Sequence, residues 1–289
     1  MIVDTHTHVV AVDRTRWPLN PAGVGSDWYT RDPVPVEDLA RVTADADVDA
    51  VVLVQAYGAY SYDNSYVVDA ATHDLTRLVS IGIIDAEAPD AVAALRALAE
   101  RPGFTGIRLF PLRDPSGPQP TWLDDPQTFP LWETCAELGL RMVVCMLPVQ
   151  FPRLRRVLDQ FPEQAVVLDH CGFADVGGGP PYANAGELFA CASHPNLHLK
   201  VTSGVLEAAE QGGHDPRDLV DRLVAEFGAD RIVWGTDYPQ TRDRPYADLV
   251  ALGRHACGRL TPGDVDLVLG GTAIRIWPEL AGSGETAPQ

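Results

Sequence analysis

Apolar, β-branched runs recur along the chain at fairly even intervals: Ile2–His6, Ala50–Gln55, Leu78–Asp85, Phe104–Phe110, Arg141–Leu147, Ala165–His170, Leu197–Thr202 and Arg231–Thr236. Most are apolar almost without a break, which is the pattern of strands buried on both faces. Between them lie segments with helical spacing, among them Val36–Ala46, Pro89–Glu100, Phe129–Leu138, Phe151–Phe161 and Pro216–Phe227. Pro89 and Pro216 suit first helical positions, with Asp90 and Asp218 in the first turn, where free N–H groups favour a carboxylate. Eight strands alternating with helices predict an α/β chain folded as a single (β/α)8 barrel over 1–281. Its longer loops should follow strands 1, 2, 4 and 6. A doubly wound sheet would usually carry a glycine-rich turn after the first strand, and Val9-Val10-Ala11 is nothing of the kind. No internal repeat or linker marks a second domain, and the small, polar residues 282–289 read as a frayed tail.

Composition narrows the partners. The 289 residues are 46% hydrophobic, which excludes a disordered chain. A net charge of -18 argues against nucleic acid and anionic membranes, although a local cluster of arginines can still hold a small anion. The five cysteines have no close-pair metal spacing, and no charged-then-apolar leader or bilayer-length apolar run is present. A reduced, cytoplasmic setting is expected. Composition leaves a homo-oligomer open.

The ends of several strands carry polar groups out of character with the runs before them. His6 and His8, two apart on the first strand, point to the same side and converge on one spot. Such a pair can hold a metal ion or polarise a carbonyl. The fourth strand ends in Gly106-Ile107-Arg108, the sixth in Asp169-His170-Cys171-Gly172, the seventh in Lys200-Val201-Thr202-Ser203, and the eighth in Gly235-Thr236-Asp237-Tyr238-Pro239. In a barrel these ends share one mouth, where chemistry is built.

Asp237 is the expected general base for water, with His6, His8 and His170 polarising the reacting carbonyl or orienting the water. Arg108, Lys200, Ser203, Tyr57, Trp28 and Arg242 are expected to touch the substrate, Arg108 as a bidentate partner for a carboxylate. Two of these have plain structural alternatives: an internal Asp or Glu partner for Arg108, and a path to the barrel exterior for Lys200. Arg113, Arg242 and Arg244 should supply one anion contact among them. The loop aromatics Trp17, Trp28, Tyr29, Tyr57, Tyr60 and Tyr62 either wall a pocket or pin the loops. Cys145 and Cys171 read as buried hydrophobes before they read as nucleophiles.

With these motifs in view, the sequence resembles the amidohydrolase superfamily. Asp4-Thr5-His6-Thr7-His8 and Gly235-Thr236-Asp237-Tyr238-Pro239 resemble its two best-marked motifs, and Leu168-Asp169-His170-Cys171-Gly172 resembles the sixth-strand motif of its amidohydrolase-2 branch. Ala56-Tyr57-Gly58, Asp63-Asn64-Ser65-Tyr66, Gly106-Ile107-Arg108 and Leu199-Lys200 look most like the lactonase group, which includes 2-pyrone-4,6-dicarboxylate lactonase and sugar-acid lactonases. The resemblance runs from Ile2 to about Pro278. It implies a hydrolase that opens a lactone, or a related ester-like carbonyl, in a small carboxylated substrate.

The departures shape the cofactor expectation. Metal-dependent decarboxylases of the branch place a histidine on strand five, where this chain has Val143-Val144-Cys145-Met146-Leu147. Binuclear members use a carboxylated lysine on strand four, and none is there. One divalent metal such as zinc on His6, His8 and Asp237, or none at all, is therefore expected. The alternatives kept open are a metal-dependent non-oxidative decarboxylase of an aromatic or unsaturated acid, and a barrel that binds a small acid without turning it over.

Overall fold

The structure, a computed structural model, describes residues 1–23, 27–113 and 117–282. Eight parallel strands follow one another around a single sheet in chain order. They are β1 (Val3–Thr7), β2 (Ala50–Val54), β3 (Leu78–Ile83), β4 (Phe104–Leu109), β5 (Arg141–Val144), β6 (Val166–Leu168), β7 (Leu197–Thr202) and β8 (Ile232–Gly235). The sheet closes where Thr7 pairs with Tyr238, just past β8, through Asp237 N–H to His6 O and His8 N–H to Tyr238 O, both 2.8 Å. The (β/α)8 barrel expected from the alternation is the fold observed. Of the tail expected over 282–289, all but Gly282 lies outside the described residues. Among the described residues no helix is long and apolar enough to cross a membrane.

Burial on both faces explains the apolar runs. One set of strand side chains, including Val3, Val52, Ile81, Val143, Val167 and Val233, packs inside the barrel with Trp277, Ile276 and Leu280 from the C-terminal segment. That segment plugs the barrel at the N-terminal ends of the strands, where Arg141 at the start of β5 donates to the Ile276 carbonyl. The alternate set, including Leu53, Ile107, Leu109, Leu199, Ile232 and Trp234, faces outward against the helices.

The helices Val36–Asp45, Phe129–Glu137, Phe151–Gln160 and Pro216–Phe227 form where the spacing places them. Pro216 takes the first helical position, with the Asp215 carboxylate accepting from Arg217 N–H at 2.9 Å. Pro89 does not: that helix is Ala91–Ala99 with Asp90 at its N-cap, because Ala91 N–H turns back to Ala88 O and spends Pro89 on the preceding turn. Several strands end sooner than their apolar runs. β6 stops at Leu168 because His170, Cys171 and Gly172 all take left-handed backbone, which no strand can continue.

Gly106 shows how closely the strands must approach. A Cβ there would lie 2.3 Å from the Arg141 carbonyl oxygen across the β4–β5 pairing, and strand backbone has little room to yield. Gly106→Ala is expected to destabilise the fold by about 1–3 kcal/mol in urea unfolding. Gly204→Ala, whose Cβ would meet nothing within 4 Å, serves as the near-neutral control.

Candidate active site

Local backbone geometry brings the polar strand ends together. Val3 faces the barrel interior, so simple alternation would send Thr5 and Thr7 inward after it. The pairing of β1 with β2 shifts register between Asp4 and Thr7, and the phase reverses. His6 and His8 therefore turn inward, their ring centroids 5.0 Å apart. His170 (φ 54°) and Asp237 (φ 61°) both sit in left-handed backbone. Each such non-glycine position costs on the order of 1–3 kcal/mol and tends to mark a site whose surroundings over-determine it.

The histidines and the carboxylate expected to meet do meet. His8 Nε2 lies 3.2 Å and His6 Nε2 3.5 Å from the same Asp237 oxygen, Oδ1. The His6 and His170 rings are 4.7 Å apart. A cavity of about 170 Å³ opens beside them, walled by His8, His170, Asp237, Arg108, Trp28 and Tyr57, with Phe110 and Phe173 completing the apolar side; His6 is buried behind this wall and does not line it. A larger cleft of about 650 Å³ at the opposite end of the barrel, beside Arg141 and Phe161, carries no such convergence of groups.

Beneath the cavity lies a buried ion network centred on Asp169. Its Oδ2 accepts from Arg108 Nε at 2.7 Å, and its Oδ1 lies 2.8 Å from Lys200 Nζ and 3.3 Å from His6 Nδ1. Burial alone would raise the Asp169 pKa. Lys200, His6 and Arg108 outweigh it and hold the carboxyl well below its ordinary range. Burial would raise the Asp237 pKa too, but the three imidazoles around it, His8 foremost, hold it low. Burial pulls His6 well below its ordinary value, with Asp169 opposing, and brings His170 down to about 4, so both rings are neutral near pH 7.

Hydrogen-bond partners assign two of the tautomers. The Val54 carbonyl can only accept, so the 2.8 Å contact puts a proton on His8 Nδ1. His8 Nε2 then faces the Asp237 oxygen lone pair to lone pair unless a proton or a cation lies between them. Arg108 Nη2 can only donate to His170 Nε2, at 3.4 Å, so His170 carries its proton on Nδ1 and gives it to Thr202 Oγ1 at 2.9 Å.

The expected substrate contacts divide. Trp28, Tyr57 and Arg108 line the cavity. Arg108 nonetheless has the internal carboxylate partner that the sequence left open. Lys200 points into the barrel but lies under the cavity, wholly buried and used by Asp169, so it offers no contact at the mouth. Ser203 is likewise sealed. Arg242 leaves the site for Asp32, 3.0 Å away across the loops, and Arg244 is held by Asp243 and Glu207. Tyr60 and Tyr66 pin loops, accepting from the backbone N–H groups of Ala11 and Val36. Burial pushes the Cys145 and Cys171 thiols up to about 12, which leaves them protonated and without nucleophilic use. The site residue that the sequence reading passed over is Asp169. Its signal was a carboxylate at a buried strand end in a chain with one lysine.

One divalent ion fits the residues present. His6, His8 and Asp237 offer donor atoms within 4.8 Å of one another, and His6 Nε2 is buried without a hydrogen-bond partner. Three protein donors leave positions open for water and substrate. The neighbouring group of His6, Asp169 and His170 has comparable spacing, but Arg108 and Lys200 already hold its carboxylate. The site has room for one ion at most.

A family model described as amidohydrolase matches residues 3–278. Over 250 residues the chain is 29% identical to an L-fucono-1,5-lactonase of Burkholderia ambifaria, a match covering 83% of this chain and 84% of that one. A solved Pseudomonas putida protein, for which 2-pyrone-4,6-dicarboxylic acid hydrolysis has been suggested, superposes with a TM-score of 0.75 at 22% identity, covering 96% of this chain and 97% of its own. An amidohydrolase of Burkholderia multivorans with bound zinc gives 0.75 at 18% identity, covering 96% and 99%. At those identities the two solved structures establish a shared fold.

Removing the charge of Asp169 should leave two buried cations without a partner. Asp169→Asn is expected to cost about 3–5 kcal/mol in chemical unfolding at pH 7. Because the folded pKa of Asp169 is depressed, its contribution is fully present above the unfolded carboxylate pKa near 3.8 and is lost as pH falls below it. The wild type should therefore lose stability more steeply than the variant on acidification below about pH 4.

Proposed function

We propose that this chain, which belongs to the amidohydrolase family, is a hydrolase that opens small lactones by carboxylate-assisted attack of water. One observation carries the reading: an ionised Asp237 lines a cavity together with His8, His170 and four aromatic rings, while the His6 imidazole is buried against the same Asp237 oxygen that His8 approaches.

Asp237 takes a proton from a water molecule as that oxygen forms a bond to the lactone carbonyl carbon. His8 and His170, which line the cavity, meet the carbonyl oxygen as it gains charge, with His6 buried behind them. The ring C–O bond then breaks, and Asp237 returns its proton to the departing alkoxide or enolate. The product is a hydroxy acid. Arg108 lines the cavity with its Nε anchored to Asp169, which suits it to orient a carboxylate, either one carried by the substrate or the one created on ring opening. Trp28, Tyr57, Phe110 and Phe173 enclose a single small ring and exclude bulk water. Where a divalent ion is bound by His6, His8 and Asp237, it supplies Lewis-acid polarisation and a more acidic water.

The decarboxylase reading is less well supported. It calls for a firmly held ion, and the end of β5 contributes the protonated Cys145 thiol where a histidine ligand would stand. A binding-only role gives no use to an ionised carboxylate set against two imidazoles. The unpaired, buried state of all five cysteines supports a reducing compartment, the cytoplasm.

The test is a weakly buffered dye assay over aromatic-derived and sugar-acid lactones, with and without chelator, since each ring opened releases a proton. Turnover of at least one lactone is expected, and Asp237→Asn should lower kcat by about 10²–10⁴-fold with little change in KM. A silent panel, or full turnover by the variant, would remove the reading.

A further inference from the structure

Lys200 is the only lysine in the chain, and its ammonium reaches neither solvent nor the cavity. It sits on the inner face of β7, 6.0 Å above the Trp277 ring, with its charge matched by Asp169 at 2.8 Å. A buried lysine is a costly way to balance a carboxylate that Arg108 already holds at 2.7 Å. Its other contact explains its presence.

Lys200 Nζ lies 3.2 Å from Nδ1 of His6 in hydrogen-bonding geometry. An ammonium has three hydrogens and no lone pair, so the bond can run only one way: Lys200 donates and Nδ1 accepts. Asp169 Oδ1 is slightly farther from the same nitrogen, at 3.3 Å, and its charge is already matched by the Lys200 ammonium at 2.8 Å, which leaves Lys200 as the nearer donor to Nδ1. A neutral imidazole has one proton, and with Nδ1 accepting, that proton belongs on Nε2. His6 Nε2 is the atom beside Asp237 Oδ1 that has no hydrogen-bond partner of its own.

We infer that Lys200 is a positioning residue that holds His6 as its Nε2–H tautomer, presenting a hydrogen-bond donor beside Asp237 and opposing metal ligation through that nitrogen. His8 donates its Nδ1–H to the Val54 carbonyl, so the Nδ1 atoms of the two rings are held in opposite senses. A donor set this way faces Asp237 Oδ1 and steadies the ionised base without help from a metal. For a divalent ion to use His6 Nε2, the ring must first exchange tautomers and turn an N–H toward the Lys200 ammonium. Lys200 also places a positive charge close to the ion's position. The ion is therefore held loosely in the wild type, and Lys200 sets how loosely.

The role of this donor beside the general base rests on the lactonase reading, but the tautomer does not, so the two can fail separately. The experiment is long-range ¹H–¹⁵N correlation on chelator-treated, ¹⁵N-histidine-labelled protein, with His6 assigned by its loss in His6→Gln. The proton is expected on Nε2 in the wild type and on Nδ1, facing Asp169, in Lys200→Met. Zinc titrated against a chromophoric competitor should bind Lys200→Met about tenfold tighter than wild type, or more. A wild-type His6 protonated on Nδ1 would overturn the inference, and so would equal zinc affinities in the two proteins. Should Lys200→Met not fold, the wild-type spectrum decides alone.

Discussion

The site is built on one buried carboxylate. Asp169 has no exposure to water, and an ionised group in that position survives only if its charge is matched within the barrel. Arg108 from β4 and Lys200 from β7 supply the match, and His6 from β1 leans against the same oxygen as Lys200. Four strands that are far apart in sequence are thereby held in a single geometry. Two carboxylates, Asp169 and Asp237, and two permanent cations make the interior of the mouth close to neutral in a protein whose total charge is -18. An anionic product can be formed there without meeting the field of the outer surface.

A second carboxylate, Asp4, secures the seam where the barrel closes. It accepts from His6 N–H at 3.1 Å, from Thr236 N–H and Oγ1–H at 2.9 and 2.6 Å, and from the Tyr246 hydroxyl at 2.9 Å. These bonds join Asp4, two residues before His6, to the residue before Asp237, so the base and the imidazoles are set on one frame. Burial still raises the Asp4 pKa to about 6, against the opposing effect of those donors. The register shift in β1 and the left-handed backbone at Asp237 are local costs that this seam sustains. Each aims a side chain that regular alternation would have pointed elsewhere.

The expectation that loop cations would collect a substrate anion illustrates how surface charge behaves in this chain. Acidic residues outnumber basic ones 40 to 22, so an arginine in a loop soon finds a carboxylate. Arg242 finds Asp32, and Arg244 finds Asp243 and Glu207. Such pairs contribute little stability where they are exposed. They do remove these side chains from the cavity, leaving Arg108 as the cation that lines it. The aromatic loops split on the same principle of available partners. Trp28 and Tyr57 reach the cavity, whereas Tyr60 and Tyr66 are fixed outside it by backbone donors.

Hydrophobic pattern alone determined the eight strands, their order and the helices between them, because strands buried on both faces leave unbroken apolar runs. Polar residues that interrupt those runs at their C-terminal ends also announced His6, His8, His170 and Asp237, since a barrel has one end where such residues can gather. Only the folded chain could decide what each polar group pairs with. The inward turn of His6 depends on a register irregularity that leaves no mark in composition. The commitment of Lys200 to Asp169 and His6, and of Arg242 to Asp32, joins residues far apart in the chain whose distances exist only once the barrel is closed. Burial converts those distances into protonation states: a carboxylate kept ionised, an imidazole kept neutral, a thiol kept inert.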